Sequence, residues 1–321
     1  MRPLALLTLV ACADAEPAAL VGDDTPADTD AVDSPADDGA PDDTPPADTP
    51  DDADPDVQTW VPVSQRPEAP VRLILLGDSI TAGYGVERGE PGYAALLQRN
   101  DTEAWPAWDG LDLTTTRPTL TQVIDVSQGG AKTGDVLDDQ IREVKRQLGD
   151  LPVDGESLVV FTIGGNDAQA ALFPGADATR IVDGALANLE HIIQALQDPG
   201  VFTTPPAIYA TNIYEPTDGQ GQARACFLGL DFSAKLSELD RYDAAFLDLA
   251  ETYGFAAVDL HHHFLGHGYH SDRDVNPFYD PDDPTLWFAS DCIHPNERGH
   301  HELRRLFWYA IQGEALPLHD L

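Results

Sequence analysis

From Val71 onward the chain alternates short apolar runs with longer stretches whose apolar residues recur every three to four positions, and few folds accept that alternation. The predicted strands are Val71–Leu76, Gln122–Val126, Leu158–Ile163, Ala207–Asn212 and Ala256–Leu260. Each is short, aliphatic or β-branched, and not strictly alternating, the pattern of strands buried on both faces. Between them Leu137, Ile141, Val144 and Leu148 keep helical spacing, as do Ile181, Ala185, Leu189, Ile192 and Leu196, and then Leu236, Leu239, Phe246 and Leu249. After the last strand, Leu303, Leu306, Phe307 and Ala310 mark a terminal helix beginning near Asn296. Repeated βα units imply a parallel sheet of about five strands with helices on both sides, a three-layer α/β/α sandwich. No internal repeat is present, and one ordered domain is expected over 61–321.

Ligands of such sheets bind beyond the carboxyl ends of the strands, which directs attention to the residues just after each apolar run. The first run ends in Gly77-Asp78-Ser79 and the second in Ser127-Gln128-Gly129-Gly130. The third ends in Gly164-Gly165-Asn166-Asp167, and beyond the fifth "SDCIHPNERGHH" supplies Asp291 and His294. These four blocks, in this order, resemble the SGNH (GDSL-type) hydrolases, esterases and lipases with a flavodoxin-like three-layer fold. The resemblance runs from Val71 to about Gln312.

It implies a division of labour that ester chemistry needs. A serine hydroxyl is a poor nucleophile until a neighbouring base takes its proton. The resemblance makes Ser79 the nucleophile, His294 the base and Asp291 the carboxylate that accepts the Nδ1 proton and leaves Nε2 facing Ser79. Standing alone, Ser79 at a strand-to-helix turn would read as a helix N-cap. The oxyanion donors implied are the backbone N–H of Ser79, the backbone N–H of Gly130 and the side-chain amide of Asn166. In the second block, where family members begin with Asn, this chain has Asp125, so Gly129 stays open as the alternative to Gly130. Asp78 and Asp167 read as structural, bonding loop backbone. The nucleophile elbow of α/β-hydrolases, G-x-S-x-G, is not matched because Thr81 holds its last place. A dinucleotide loop fits no better, since Gly83-Tyr84-Gly85 lacks the third glycine.

The formal net charge of −38 disfavours nucleic acid and anionic membranes as partners, because Coulomb repulsion opposes approach. Much of it lies between Ala13 and Trp60, which hold 15 Asp and one Glu with no Lys or Arg. That stretch, mostly Asp, Pro, Ala and Thr, cannot bury enough apolar surface to offset its ordering entropy, so 13–60 is expected to be a disordered linker. Ahead of it "MRPLALLTLVAC" resembles a short bacterial lipoprotein signal, 1–12, whose Cys12 would be lipidated; a truncated secretory signal is the alternative. The remaining cysteines, Cys226 and Cys292, are expected to form a disulfide in an oxidising compartment, with two buried thiols as the alternative.

His261, His262, His263, His267 and His270 lie together in sequence, and a polar loop at the rim of the site, rather than a zinc site, is the reading. No metal or cofactor is expected. The expected protein is an exported, lipid-anchored, monomeric serine esterase, meeting the membrane only through Cys12. Its substrates would be short-chain acyl esters, lysophospholipids or O-acetyl-polysaccharide. The alternative is a non-catalytic surface lipoprotein that binds carbohydrate or lipid on the same fold.

Overall fold

The structure is a computed structural model that describes residues 62–66, 68–222 and 231–317. The expected signal, linker and Cys12 lie outside the described residues. Five strands form one parallel sheet in the order β2-β1-β3-β4-β5: β1 is Arg72–Gly77, β2 Gln122–Asp125, β3 Ser157–Thr162, β4 Ala207–Thr211 and β5 Ala256–Val258. The labelled helices are α1 (Tyr93–Gln98), α2 (Ile141–Leu148), α3 (Gly165–Leu172), α4 (Ala178–Leu196), α5 (Leu236–Tyr253), α6 (Leu260–Phe264) and α7 (Glu297–Gln312).

Side chains alternate across each strand and divide the core in two. Ile74, Leu76, Val159, Phe161 and Ile208 pack under α2, α4 and α5 with Val144, Leu189, Ile192 and Phe246. Leu73, Leu75, Leu158, Val160 and Tyr209 face the other way, against Leu97 of α1 and Leu303, Phe307 and Ile311 of α7. This is the expected three-layer α/β/α sandwich. The aromatic loop residues Trp108, Trp287 and Phe288 belong to the second core.

Three local features depart from expectation. β2 lies at the sheet edge, with Val123 exposed, so only one of its faces is buried. β5 stops at Val258, because the Asp259 side chain accepts the N–H of His262 and starts α6. The segment Val136–Gln140 before α2 is one π-helical turn, which brings Gln140 inward beside the apolar face. The terminal helix starts where expected, with Asn296 accepting the N–H of Gly299 as its N-cap. The chain reverses its direction across the sheet between β1 and β3, so the loops after these two strands flank one crevice.

Candidate active site

β1 and β3 come together tightly at their carboxyl ends. Gly77 has φ +108°, and a Cβ there would stand 2.1 Å from the Thr162 carbonyl oxygen, so no other residue fits. Gln140, turned inward by the π turn, donates to the Gly77 carbonyl at 2.7 Å and accepts its N–H at 2.8 Å. The next residue, Asp78, is buried; its Oδ1 accepts the Ile80 N–H at 3.0 Å and the Thr162 hydroxyl at 3.1 Å. Burial pushes the Asp78 carboxyl up to about 6 despite those bonds. The resulting Asx turn presents Ser79 at the mouth of the crevice.

Ser79 caps no helix: its Oγ lies 2.8 Å from His294 Nε2. His294 Nδ1 lies 2.6 Å from Asp291 Oδ2, while Asp291 Oδ1 accepts the backbone N–H groups of Ile293 and His294, each at 3.0 Å. Burial alone would raise the Asp291 pKa, but the hydrogen bonds from His294 and the two N–H groups outweigh it and hold the carboxyl below its ordinary value. An ionised carboxylate can only accept, so Nδ1 carries the proton and the Nε2 lone pair faces the Ser79 hydroxyl. The structure thus brings together three side chains spread over more than 200 positions of sequence.

The loop bearing His294 is held from several sides. Tyr214 donates to the Ile293 carbonyl at 2.5 Å, and Ala289 N–H donates to the His294 carbonyl at 2.8 Å. Gly85 lies so close that a Cβ on it would stand 2.7 Å from His294 Cβ. The neighbouring Tyr84 ring sits 5.6 Å from the imidazole, centroid to centroid. Buried His300 fixes this loop: its Nε2–H donates to the Tyr84 carbonyl at 2.8 Å, and its Nδ1 accepts the Tyr93 N–H at 3.1 Å. Burial lowers the His300 pKa to about 4, so the ring stays neutral.

Of the three expected donors, Ser79 and Asn166 line one pocket, and the Asn166 amide reaches the residue after Gly130. Among the described residues, the N–H groups of Ser79, Gly129 and Gly130 have no hydrogen-bond partner. Gly130 has φ +81° and open space where a Cβ would stand, whereas a Cβ on Gly129 would be 2.8 Å from the Tyr84 hydroxyl. Asn166, in the first turn of α3, lines the same pocket as Ser79 and donates one amide N–H to the Ala131 carbonyl at 2.9 Å. That bond ties the second block to the third and leaves the other amide N–H for a ligand. Asp167 accepts from the Thr133 N–H at 2.9 Å, a loop-bonding role as expected.

Cys292, between Asp291 and His294, is disulfide-bonded and has φ +68°. Its expected partner, Cys226, lies outside the described residues. The histidines of 261–270 go to separate places. His261 pairs with Asp243, His262 with Asp259, and His263 with Glu302; the His267 ring stacks on Trp287, and His270 Nδ1 lies 3.1 Å from the Thr217 carbonyl oxygen. Among the described residues no three His, Cys, Asp or Glu side chains cluster as metal ligands.

Gln140, Tyr214 and His300 escaped sequence reasoning. A polar residue at an inward helical position beside Ile141 was the only trace of Gln140. Nothing in the sequence distinguishes Tyr214 or His300 from their neighbours.

The model of the GDSL-like lipase/acylhydrolase family matches residues 75–302. A lipase from a goat rumen metagenome, Lip_vut3, is 15% identical over 77% of this chain and 100% of its own, with a TM-score of 0.51. A catalytic mutant of Axe2, an acetylxylan esterase from Geobacillus stearothermophilus, is 19% identical over 78% of this chain and 99% of its own, with a TM-score of 0.50. No curated protein matches the sequence. With its four blocks gathered on one crevice and the family match spanning most of the described body, the chain belongs to the GDSL-like lipase/acylhydrolase family and is a carboxylic ester hydrolase.

Proposed function

We propose that the protein is a serine esterase that works through an acyl-enzyme on Ser79. The Ser79 Oγ attacks the ester carbonyl carbon while its proton passes to His294 Nε2, and Asp291 stabilises the imidazolium formed. The negative charge on the former carbonyl oxygen is assigned to the N–H groups of Ser79 and Gly130 and the amide of Asn166, donors whose unused N–H groups support that role. Collapse breaks the carbon–oxygen bond as His294 returns the proton to the leaving alcohol. Water then repeats the sequence in reverse, with His294 as base, and the acid departs.

The observation that carries this reading is the unbroken line from Asp291 through His294 to Ser79, at 2.6 and 2.8 Å. Hydrolysis of p-nitrophenyl acetate by the wild type and by Ser79→Ala tests it. Turnover should fall by about 10⁴-fold or more in the variant. Equal rates for the two proteins would refute the assignment.

The candidate substrates are short-chain acyl esters, lysophospholipids and O-acetyl groups on polysaccharide. We further infer that the enzyme is exported as a monomer and tethered to the cell envelope by a lipid on Cys12, with no nucleic-acid partner. The disulfide at Cys292 supports an oxidising compartment. Mass spectrometry of the mature N-terminus should find an acylated Cys12, and an intact Met1 would contradict the anchor.

A further inference from the structure

A cavity of about 120 Å³ opens from Ser79 and Asn166 and runs between α3, α4 and α5. Apart from its mouth it is lined chiefly by aliphatic and aromatic side chains, among them Ala168 and Leu172 of α3, Val182 and Ala185 of α4, and Leu239 of α5. An apolar cavity of roughly 150 Å³ holds the six carbons of a benzene molecule, so this one has room for an acyl chain of about four to six carbons.

Two buried hydroxyls among the lining residues stand out. The hydroxyls of Tyr242 and Thr211 are buried and, among the described residues, have no hydrogen-bond partner, yet both residues line the cavity. The Tyr242 hydroxyl stands beside Gly164, where a Cβ would be 2.9 Å from it, two residues before Asn166. Burial, with the negative charges of Asp167, Asp243 and Asp78 added, raises its pKa, so the phenol keeps its proton and remains a donor. A buried donor among apolar groups requires an acceptor, and here the ligand is the group able to bring one.

We propose that the acyl half of the substrate fills this cavity and is a medium-length chain bearing an oxygen, oxo or hydroxy, that accepts from Tyr242. The proposal rests on the reading of Ser79 as the acylated residue, because the acyl group must start at its Oγ. It excludes acetyl esters as the preferred substrate class, since an acetyl group leaves most of the cavity unfilled.

Two sets of p-nitrophenyl esters test this. The first is a chain-length series from acetate to dodecanoate; the second compares the near-isosteric 4-oxopentanoate and 4-methylpentanoate. The wild type should peak in kcat/KM between about four and six carbons. Ala168→Phe, on a half-buried position that narrows the cavity, should move the optimum toward acetate, and Leu239→Ala should move it to longer chains. Tyr242→Phe should lower the oxo-to-methyl ratio by about tenfold, the worth of one hydrogen bond. An optimum that neither Ala168→Phe nor Leu239→Ala moves, or a ratio equal in wild type and Tyr242→Phe, would overturn the assignment while acetate turnover still upheld Ser79. Absence of turnover on every ester would overturn the Ser79 reading, and the cavity assignment with it.

Discussion

Gly85 offers a sharp way to disturb His294 without touching it. Gly85→Ala would place a methyl carbon 2.1 Å from the Pro295 carbonyl oxygen and 2.7 Å from His294 Cβ. Ordinary contacts lie near ~3.5 Å, so the loop must yield by about 1 Å. A displacement of that size at a reacting group costs about 10²-fold in rate. The backbone at φ +106° adds strain, and the two effects together cost about 2–3 kcal/mol of stability. For a body of this size that lowers Tm by roughly 5–10 °C. The assay is kcat/KM on p-nitrophenyl acetate at 25 °C, with circular dichroism confirming the fold. Gly89→Ala is the control: φ is +104° there but no atom stands within 4 Å, so it carries strain without collision. Its Tm should fall slightly and its activity should hold. Gly85→Ala folded and within twofold of wild-type activity would refute the argument that this contact sets the imidazole.

Other perturbations separate the remaining parts. Asn166→Ala removes one oxyanion donor and should lower kcat by about 10²–10³-fold with little change in KM, measured by steady-state kinetics. Asp78, raised by burial from 3.8 to about 6, binds its proton more tightly folded than unfolded. It therefore erodes stability as pH climbs from about 4 through 6. Asp78→Asn should gain on the wild type over that window, by about 3 kcal/mol in all, and a Tm difference independent of pH would refute the shift. A non-reducing peptide map should show Cys292 joined to Cys226; both found as free thiols would contradict the pairing.

Much of the fold was legible because its strands are short apolar runs that stop at small polar residues. All five strands appeared within two residues of expectation, and for the inner strands β1, β3 and β4 burial on both faces leaves little choice of composition. The largest departure, two residues at the end of β5, follows from Asp259, whose capping bond ends the strand before its apolar run ends. Helix α3 was not read, because "GGNDAQAALFPG" carries turn residues at both ends and a short apolar stripe. The consequence is functional: Asn166 rides on a helical first turn rather than a loose loop, which fixes its amide direction. Ser79, His294 and Asp291 were identified through the family resemblance carried by the blocks after the strands, but nothing local reveals Gln140 holding both polar groups of Gly77. Such supports depend on contacts between distant segments, and the sequence carries those only through the folded chain.

The most direct test of the nucleophile is to catch its covalent state. Wild type mixed with excess p-nitrophenyl acetate and quenched in acid within the first turnovers should yield a peptide containing Ser79 that is heavier by one acetyl group. Ser79→Ala treated identically should carry none. An acetyl group found reproducibly on another residue of the wild type, with the Ser79 peptide unmodified, would contradict the account.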